Sequence, residues 1–442
     1  MEHILVYCSA KSSRLEYVLD WVLRERLQLS YTITHNEAEA NRAPFVIAYG
    51  KALPKAVSIP DTGLLWQTGT AGLAPEAGTW LNSPTLFTTQ KKTFSLPFDL
   101  FSAIFYLLSR YEEYYAYKPD KHGRYPAKSS ILYKRGWLQR PLIDEWICEL
   151  RKLLLREGMA VPPMPFVYQP TYDIDIAYSH LYKGLGRIAG AYLRALLKLD
   201  LKQITERTDV LKRKQKDPYD SFRWLRQLHD EYDFKPTYFV LTALRTTAFD
   251  KNIHPEHPAM TRVIRNLAKE GNIGIHPSYY SGTGTAMLDE YRLLERIAGS
   301  DINISRQHFI RIQLPDTYRG LLVNGIQEDY SMGYGSHLGF RAGTGSSFLW
   351  YDLQKEAATK LRVHPFCFMD TTAHYEQKLN VNEAFDKLNT MAQLLEQTGS
   401  TLITVFHNFS LGTAREWKGW RHAYESFLQE KTPYAKERAE VS

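Results

Sequence analysis

The sequence predicts an α/β protein: a distorted (β/α) barrel of about seven parallel strands over residues 161–442, preceded by a smaller α/β domain over residues 1–160. Three observations carry this expectation. From residue 166 onward, short β-branched apolar runs alternate with stretches of helical apolar periodicity. Several of the helical stretches close on glycine, as in PAMTRVIRNLAKEG, LDEYRLLERIAG and NEAFDKLNTMAQLLEQTG. Between the two halves stands VPPMP at 161–165, which ends the preceding helix because proline lacks the amide hydrogen and clashes with the turn before it. A chain of 442 residues with 44% hydrophobic content can bury a core in each half.

In the first half HILVYC, YTITH and FVIAYG read as strands, and FDLFSAIFYLLSRYEEYY and RPLIDEWICELRKLLLREG as helices. GTAGLAPEAG is turn-rich but has no Lys-Ser/Thr after its glycines, so it is not a phosphate loop, and PDKHGRYPAKSS (119–130) reads as a polar loop. In the second half the expected strands are FVYQPTYDIDIAY, PTYFVLTA, NIGIHPS, QHFIRIQL, a short one near EDYSMGY, LRVHPFCFM and STLITVFHN. Repeated strand-helix units imply a parallel sheet, and over some 280 residues a closed or distorted barrel fits better than an open one. Residues 182–215 form a basic, helix-prone insertion after the first of these strands.

Composition excludes several classes. No run reaches the roughly 18 apolar residues of a spanning helix, and MEHILVYCSAK lacks the flanks of a secretory signal, so the expectation is a cytoplasmic protein without a transmembrane segment. Cys8, Cys148 and Cys367 are far apart in apolar surroundings and read as small core residues, not as a disulfide framework or thiolate cluster. The net charge of +7 reads as spread over the chain, with one dense cluster, KRKQK at 212–216, read as a solvated helix end. No nucleic-acid partner is expected.

The chemistry concentrates at strand ends. In TYDID, Asp173 and Asp175 alternate with Tyr172, Ile174 and Ile176, so the two carboxylates share one face, roughly 6–7 Å apart along a strand. That is too far for a shared proton, but it suits one carboxylate on a metal and the other taking a proton. The alternative is that both cap a turn or pair with arginines. Two further expected strands end on histidine, His276 in NIGIH and His407 in ITVFH. Two aspartates and two histidines at the C-terminal ends of different parallel strands are the material from which a barrel builds a metal site.

TYDID, GIHPSYYS and ITVFHN together resemble the three motifs of the polysaccharide deacetylases of the NodB-homology type, carbohydrate esterase family four. RQHFIR, DYSMGYGSHLGFRAGT and HPFCFMDTT further resemble a Bacteroidetes-type subgroup, in which a domain of unknown function precedes the deacetylase domain; FYLLSRYEEY and DKHGRYPAKSS fit that leading domain. The resemblance implies a metal-dependent hydrolase that removes N-acetyl groups from an amino sugar in a polysaccharide or its precursor, so the expected partner is an N-acetylated carbohydrate. The expected cofactor is a divalent metal, with zinc favoured. In the implied scheme Asp173 is the base, Asp175 and His276 hold the metal, and His407 is the general acid. An arginine, Arg306 or Arg341, pairs with Asp173, and Asp370 either orients His407 or caps a helix at MDTT.

The sequence departs from the family at one point. The usual second motif, His-x-x-x-His, has Tyr280 at its last position, and a neutral tyrosine is a poor zinc ligand. The third ligand is then Tyr280, Ser278, water or a side chain from elsewhere, with His254 and His257 of HPEHP read as surface residues. The alternative function is a catalytically silent relative that binds sugar or a partner in polysaccharide biosynthesis. Tyr279, Tyr280, Tyr330, Tyr334 and Trp350 are candidates for stacking on sugar rings or for packing.

Overall fold

The computed structural model describes residues 3–282 and 284–441. The N-terminal region builds a parallel sheet of order β2-β1-β3-β4 from β1 (His3–Tyr7), β2 (Ser30–Thr34), β3 (Val46–Tyr49) and β4 (Val57–Ile59). An antiparallel hairpin, β5 (Ala77–Trp80) and β6 (Ser83–Leu86), follows. The helix expected over FDLFSAIFYLLSRYEEYY forms as Leu100–Leu108, with Arg110 at φ 53° separating it from a 3-10 turn at Tyr111–Tyr114, and the helix Leu142–Arg156 ends before VPPMP.

The second region is one sheet of nine strands. They are β7 (Val167–Ile174), β8 (Thr237–Leu241), β9 (Asn272–His276), β10 (Ile304–Ser305), β11 (Glu328–Asp329), β12 (Phe348–Asp352), β13 (Ala357–Val363), β14 (Phe368–Met369) and β15 (Thr401–His407). Their order is β12-β13-β11-β10-β9-β8-β7-β15-β14, with every pairing parallel except β12 with β13. The sheet must curl. From Val363 to Phe368 the chain can span at most about 18 Å, yet β13 and β14 stand seven strand positions apart, roughly 34 Å in a flat sheet. No ladder joins β12 to β14 among the described residues, so the sheet is an incomplete barrel. The expected seven parallel strands are therefore corrected to eight parallel and one antiparallel.

Two local readings explain the difference. LRVHPFCFM, expected as one strand, splits around Pro365, which has no amide to donate, and its halves fall on β13 and β14. QHFIRIQL, expected as a strand, instead turns away after β10, with Phe309 and Ile310 at φ 57° and 56°. Inside the curl, Phe239, Ile304, Tyr330, Phe366, Ile403 and Val405 make an apolar cluster of their own. Gly274 belongs to this packing: a Cβ there would sit 2.7 Å from Ile304 Cγ1 and 2.8 Å from Phe239 Cδ1.

A second, larger core joins both regions, with Trp21 and Trp146 in the same cluster as Tyr351 and Leu395. Trp21 Nε1 donates to Ser347 O at 2.8 Å and the Tyr17 hydroxyl to Leu349 O at 2.7 Å, so the N-terminal region lies along the β12 edge. No helix among the described residues is long and apolar enough to cross a membrane.

Candidate metal centre

The site sits at the C-terminal mouth of the curled sheet because parallel pairing aligns the strand ends. Asp173 is in register with His407 on β15 and Phe239 on β8, while Leu241 of β8 is in register with His276 on β9. Alternation along β7 sends Asp173 to the concave side, with Tyr172 and Ile174 in the outer core. Asp175 follows the last residue of β7 and reaches over the mouth, half-buried beside the fully buried Asp173 and His276.

Three imidazoles converge on Asp175. His276 Nε2 lies 3.2 Å from its Oδ1, and His308 Nε2 and His407 Nε2 each lie 3.5 Å from its Oδ2. Each ring is held from behind through Nδ1. The partner of His276 is the carbonyl of Arg306 at 2.6 Å, that of His308 is Asp250 at 3.2 Å, and that of His407 is Asp370 at 2.7 Å. A carbonyl or carboxylate only accepts, so Nδ1 carries the hydrogen, and in the neutral ring Nε2 presents its lone pair toward Asp175. A lone pair facing a carboxylate is repulsive unless a proton or a metal ion lies between them.

Ligand atoms of Asp175, His276 and His308 all lie within 4.8 Å of one another, a separation that lets all three touch one ion. Asp175 Oδ1 is buried with no hydrogen-bond partner among the described residues. This donor set, one carboxylate and two imidazoles backed by a carbonyl and a carboxylate, fits a divalent ion of the zinc type.

Charge agrees. Burial pushes the Asp175 carboxyl up, but the His308 and His276 imidazoles more than offset it and hold the group well below the ordinary carboxylate range. Burial lowers His308, yet Asp175 and then Asp250 raise it to about 9. Burial likewise opposes His407, and Asp370 leads the interactions that lift it well above the ordinary histidine value.

Arg306 is the arginine on Asp173: Nη1 donates to Oδ1 at 2.8 Å and Nε to the Tyr330 carbonyl at 2.9 Å. Its backbone N–H bonds Ile275 O at 3.0 Å, which ties the arginine to the strand carrying His276. Arg341, the other candidate, does not reach the site. Its guanidinium forks onto Glu113 at 2.9 and 2.6 Å, because the RYEEY turn of the N-terminal region offers it a buried carboxylate.

Tyr280 is 69% exposed and lies against Phe249, away from the donor atoms. Ser278 donates its backbone amide to Glu290, and His257 caps the helix Pro258–Glu270; the converging donor group is Asp175, His276 and His308. Tyr330, Tyr334 and Trp350 are buried packing residues, and Tyr279 stacks on Phe249 at 4.0 Å. Asp370 does orient His407, also accepting from its backbone N–H at 2.7 Å.

Sequence reading missed His308, two residues after Arg306 in RQHFIR. It was hidden because the segment reads as a strand, in which Phe309 and Ile310 look like the informative residues. The Asp250 that backs it lies in a loop with no signal of its own. The cleft over the site, about 440 Å³, is lined by Tyr219, Phe249, Phe309, Tyr375 and Phe409 together with His122 and Arg124 of the N-terminal region. That last pair comes from the loop read only as polar; Arg124 Nη1 donates to Phe309 O at 2.8 Å and His122 Nδ1 lies 3.1 Å from the Tyr279 hydroxyl.

Residues 4–158 match a family of unknown function (DUF7033). No curated protein matches the chain. Among solved structures, a protein assigned as a polysaccharide deacetylase from Mycobacterium smegmatis is 14% identical over 62% of this chain and 86% of its own, with a TM-score of 0.37. A polysaccharide deacetylase from Bacillus cereus is 12% identical over 60% of this chain and 88% of its own, with a TM-score of 0.30. A peptidoglycan N-acetylglucosamine deacetylase is 11% identical over 63% and 85%, with a TM-score of 0.31. The chemistry of the site therefore rests on its own geometry.

Proposed function

We propose that this protein is a metal-dependent hydrolase that removes N-acetyl groups from an amino sugar in a polysaccharide or its precursor. The observation that carries the reading is the set of three imidazoles, each braced through Nδ1, with their Nε2 atoms aimed at one half-buried carboxylate. Asp175, His276 and His308 would hold the ion, zinc by donor type. When bound it supplies Lewis-acid activation of water and of the acetamide carbonyl.

The remaining residues divide the proton work. Asp173 Oδ2 faces the site at 3.8 Å from His276 Nε2, while Oδ1 is occupied by Arg306, so Oδ2 is the oxygen free to take a proton from the attacking water. Arg306 fixes the carboxylate's orientation and offsets its charge. His407, kept protonated by Asp370, has Nε2 3.5 Å from Asp175 Oδ2 and delivers a proton to the departing amine. The aromatic walls of the cleft offer flat apolar faces that suit the C–H faces of a pyranose.

The silent-relative alternative drew its weight from Tyr280, and His308 in the vacant ligand role removes that weight. The test is metal analysis of the purified protein together with acetate release from N-acetylated chito-oligosaccharides. Wild type is expected to hold about one ion per chain and to release acetate, and Asp175→Ala and His308→Ala to lose both. A wild type that binds no divalent ion and releases no acetate overturns the proposal.

A further inference from the structure

The insertion after β7 folds into two helices, Leu185–Leu197 and Leu201–Leu211, and the first is turned inside out relative to an ordinary surface helix. Its buried residues are Ala191 and Ala195. Its leucines face away: Leu185, Leu193, Leu196 and Leu197 are 87, 58, 56 and 76% exposed, and the turn adds Leu199 and Leu201 at 81 and 67%. At about 100° per residue the four helical leucines fill an arc of roughly 120°, the two alanines lie opposite, and Arg187 and Arg194 fall between. Six large apolar side chains within 17 residues of chain are thus left more than half exposed by the described residues.

The charge of the molecule gathers at the same place. Residues 183–216 contain ten Lys and Arg against three Asp and Glu, an excess of +7, which equals the net charge of the whole chain. The rest of the protein is neutral in sum. What reads in the composition as a dispersed positive charge is a single cationic hairpin with a leucine face, and KRKQK is its C-terminal end. Lys198, Lys202, Lys212, Arg213 and Lys214 are all exposed.

We infer that this hairpin docks the protein on an anionic lipid surface, with the leucines at the boundary of headgroups and acyl chains and the lysines and arginines on the phosphates. An exposed apolar arc bordered by cations suits a bilayer surface, whereas a second copy of this chain would have to bring two surfaces of like charge together. The hairpin also adjoins the cleft: Lys183 Nζ and Arg187 Nη2 donate to the Lys251 carbonyl at 3.3 and 3.0 Å, and Lys251 lines the cleft wall. A protein seated in this way has its cleft beside the headgroups. Membrane docking stands without the hydrolase reading.

The experiment is co-sedimentation of the full chain with vesicles of phosphatidylcholine alone and of phosphatidylcholine with phosphatidylglycerol. Wild type is expected to pellet with the anionic vesicles and to be released by raised salt. Leu193→Ser with Leu197→Ser should weaken binding at least about tenfold, and Lys212→Gln or Lys214→Gln about fivefold each. All four positions are solvent-facing or partly so, and an unchanged melting temperature verifies that the variants are folded. The inference is overturned if wild type stays in solution with anionic vesicles, or if the leucine variants bind as wild type does. It is also overturned if the leucine variants turn a wild-type dimer into a monomer, which assigns the face to a second copy.

Discussion

Two clusters of buried charge lie in this protein, and they are resolved in opposite ways. In the first, Arg110 and Arg341 meet Glu112 and Glu113 where the N-terminal region packs on the curled sheet. Glu113 bridges the two arginines at 2.6–2.9 Å, and the second oxygen of Glu112 accepts the Ile131 amide at 2.8 Å. Its formal charges cancel and every charged group has a hydrogen-bond partner; burial alone would push Glu113 up, but Arg341 and Arg110 hold it low. In the second, Asp173, Asp175, Asp250 and Asp370 are set against Arg306 alone, leaving an excess of three negative charges when the imidazoles are neutral. Asp175 Oδ1 and Arg306 Nη2 are buried without hydrogen-bond partners among the described residues. A cluster that satisfies itself is a structural clasp. A cluster that keeps an excess of carboxylates facing one another could hold a cation, the reading proposed above.

The contrast is open to direct test. The largest expected effect is His276→Ala, which should abolish ion binding and reduce acetate release on the order of 1000-fold or more while leaving the melting temperature of the ion-free protein near that of wild type. Glu113→Ala should do the reverse. Stranding the buried Arg341, while Arg110 keeps Glu112 at 3.0 Å, is expected to cost about 3–5 kcal/mol of stability, read by denaturant unfolding, with ion stoichiometry of the folded protein unchanged. If Glu113→Ala instead loses the ion without losing stability, the division between clasp and site is wrong.

A smaller effect sharpens the roles within the site. Asp370→Asn is expected to lower activity about 10–100-fold and to move the alkaline limb of the pH–rate profile down toward the ordinary histidine range, because the carboxylate that favours the imidazolium is gone. A variant whose alkaline limb does not move would remove His407 from the role of acid.

The smallest lies outside both clusters. His229, buried against Tyr172, is lowered by burial to about 3. Below the unfolded value near 6.5, the unfolded chain takes up a proton that the folded one refuses, so stability falls as pH drops. By pH 5 this amounts to about 2 kcal/mol. Unfolding at pH 7 and pH 5 should show that loss in wild type, and a smaller one in His229→Asn.

Much of this architecture is legible in the chain, because it follows from local periodicity. TYDID, NIGIH and TLITVFH read as strands ending in side chains of one chemical kind, and parallel pairing then brings strand ends together without further information. The helices Pro258–Glu270, Thr285–Ala298 and Val381–Gln397 also stand where periodicity and caps place them. β12 was not legible, since FLWYDLQKEAATKLRV becomes a hairpin only beside a sheet that needs an edge.

The sequence by itself determined which carboxylates and imidazoles occupy strand ends and that they share a face, since side-chain alternation is a property of each strand alone. Only the tertiary structure decided that His308 stands beside Asp175 and His276, that Arg306 and not Arg341 meets Asp173, and that a loop of the N-terminal region walls the cleft. The physical reason is that these depend on how far the sheet curls and on the turn at Phe309 and Ile310. Such long-range contacts are set by the packing of distant segments, and no short stretch of sequence encodes them.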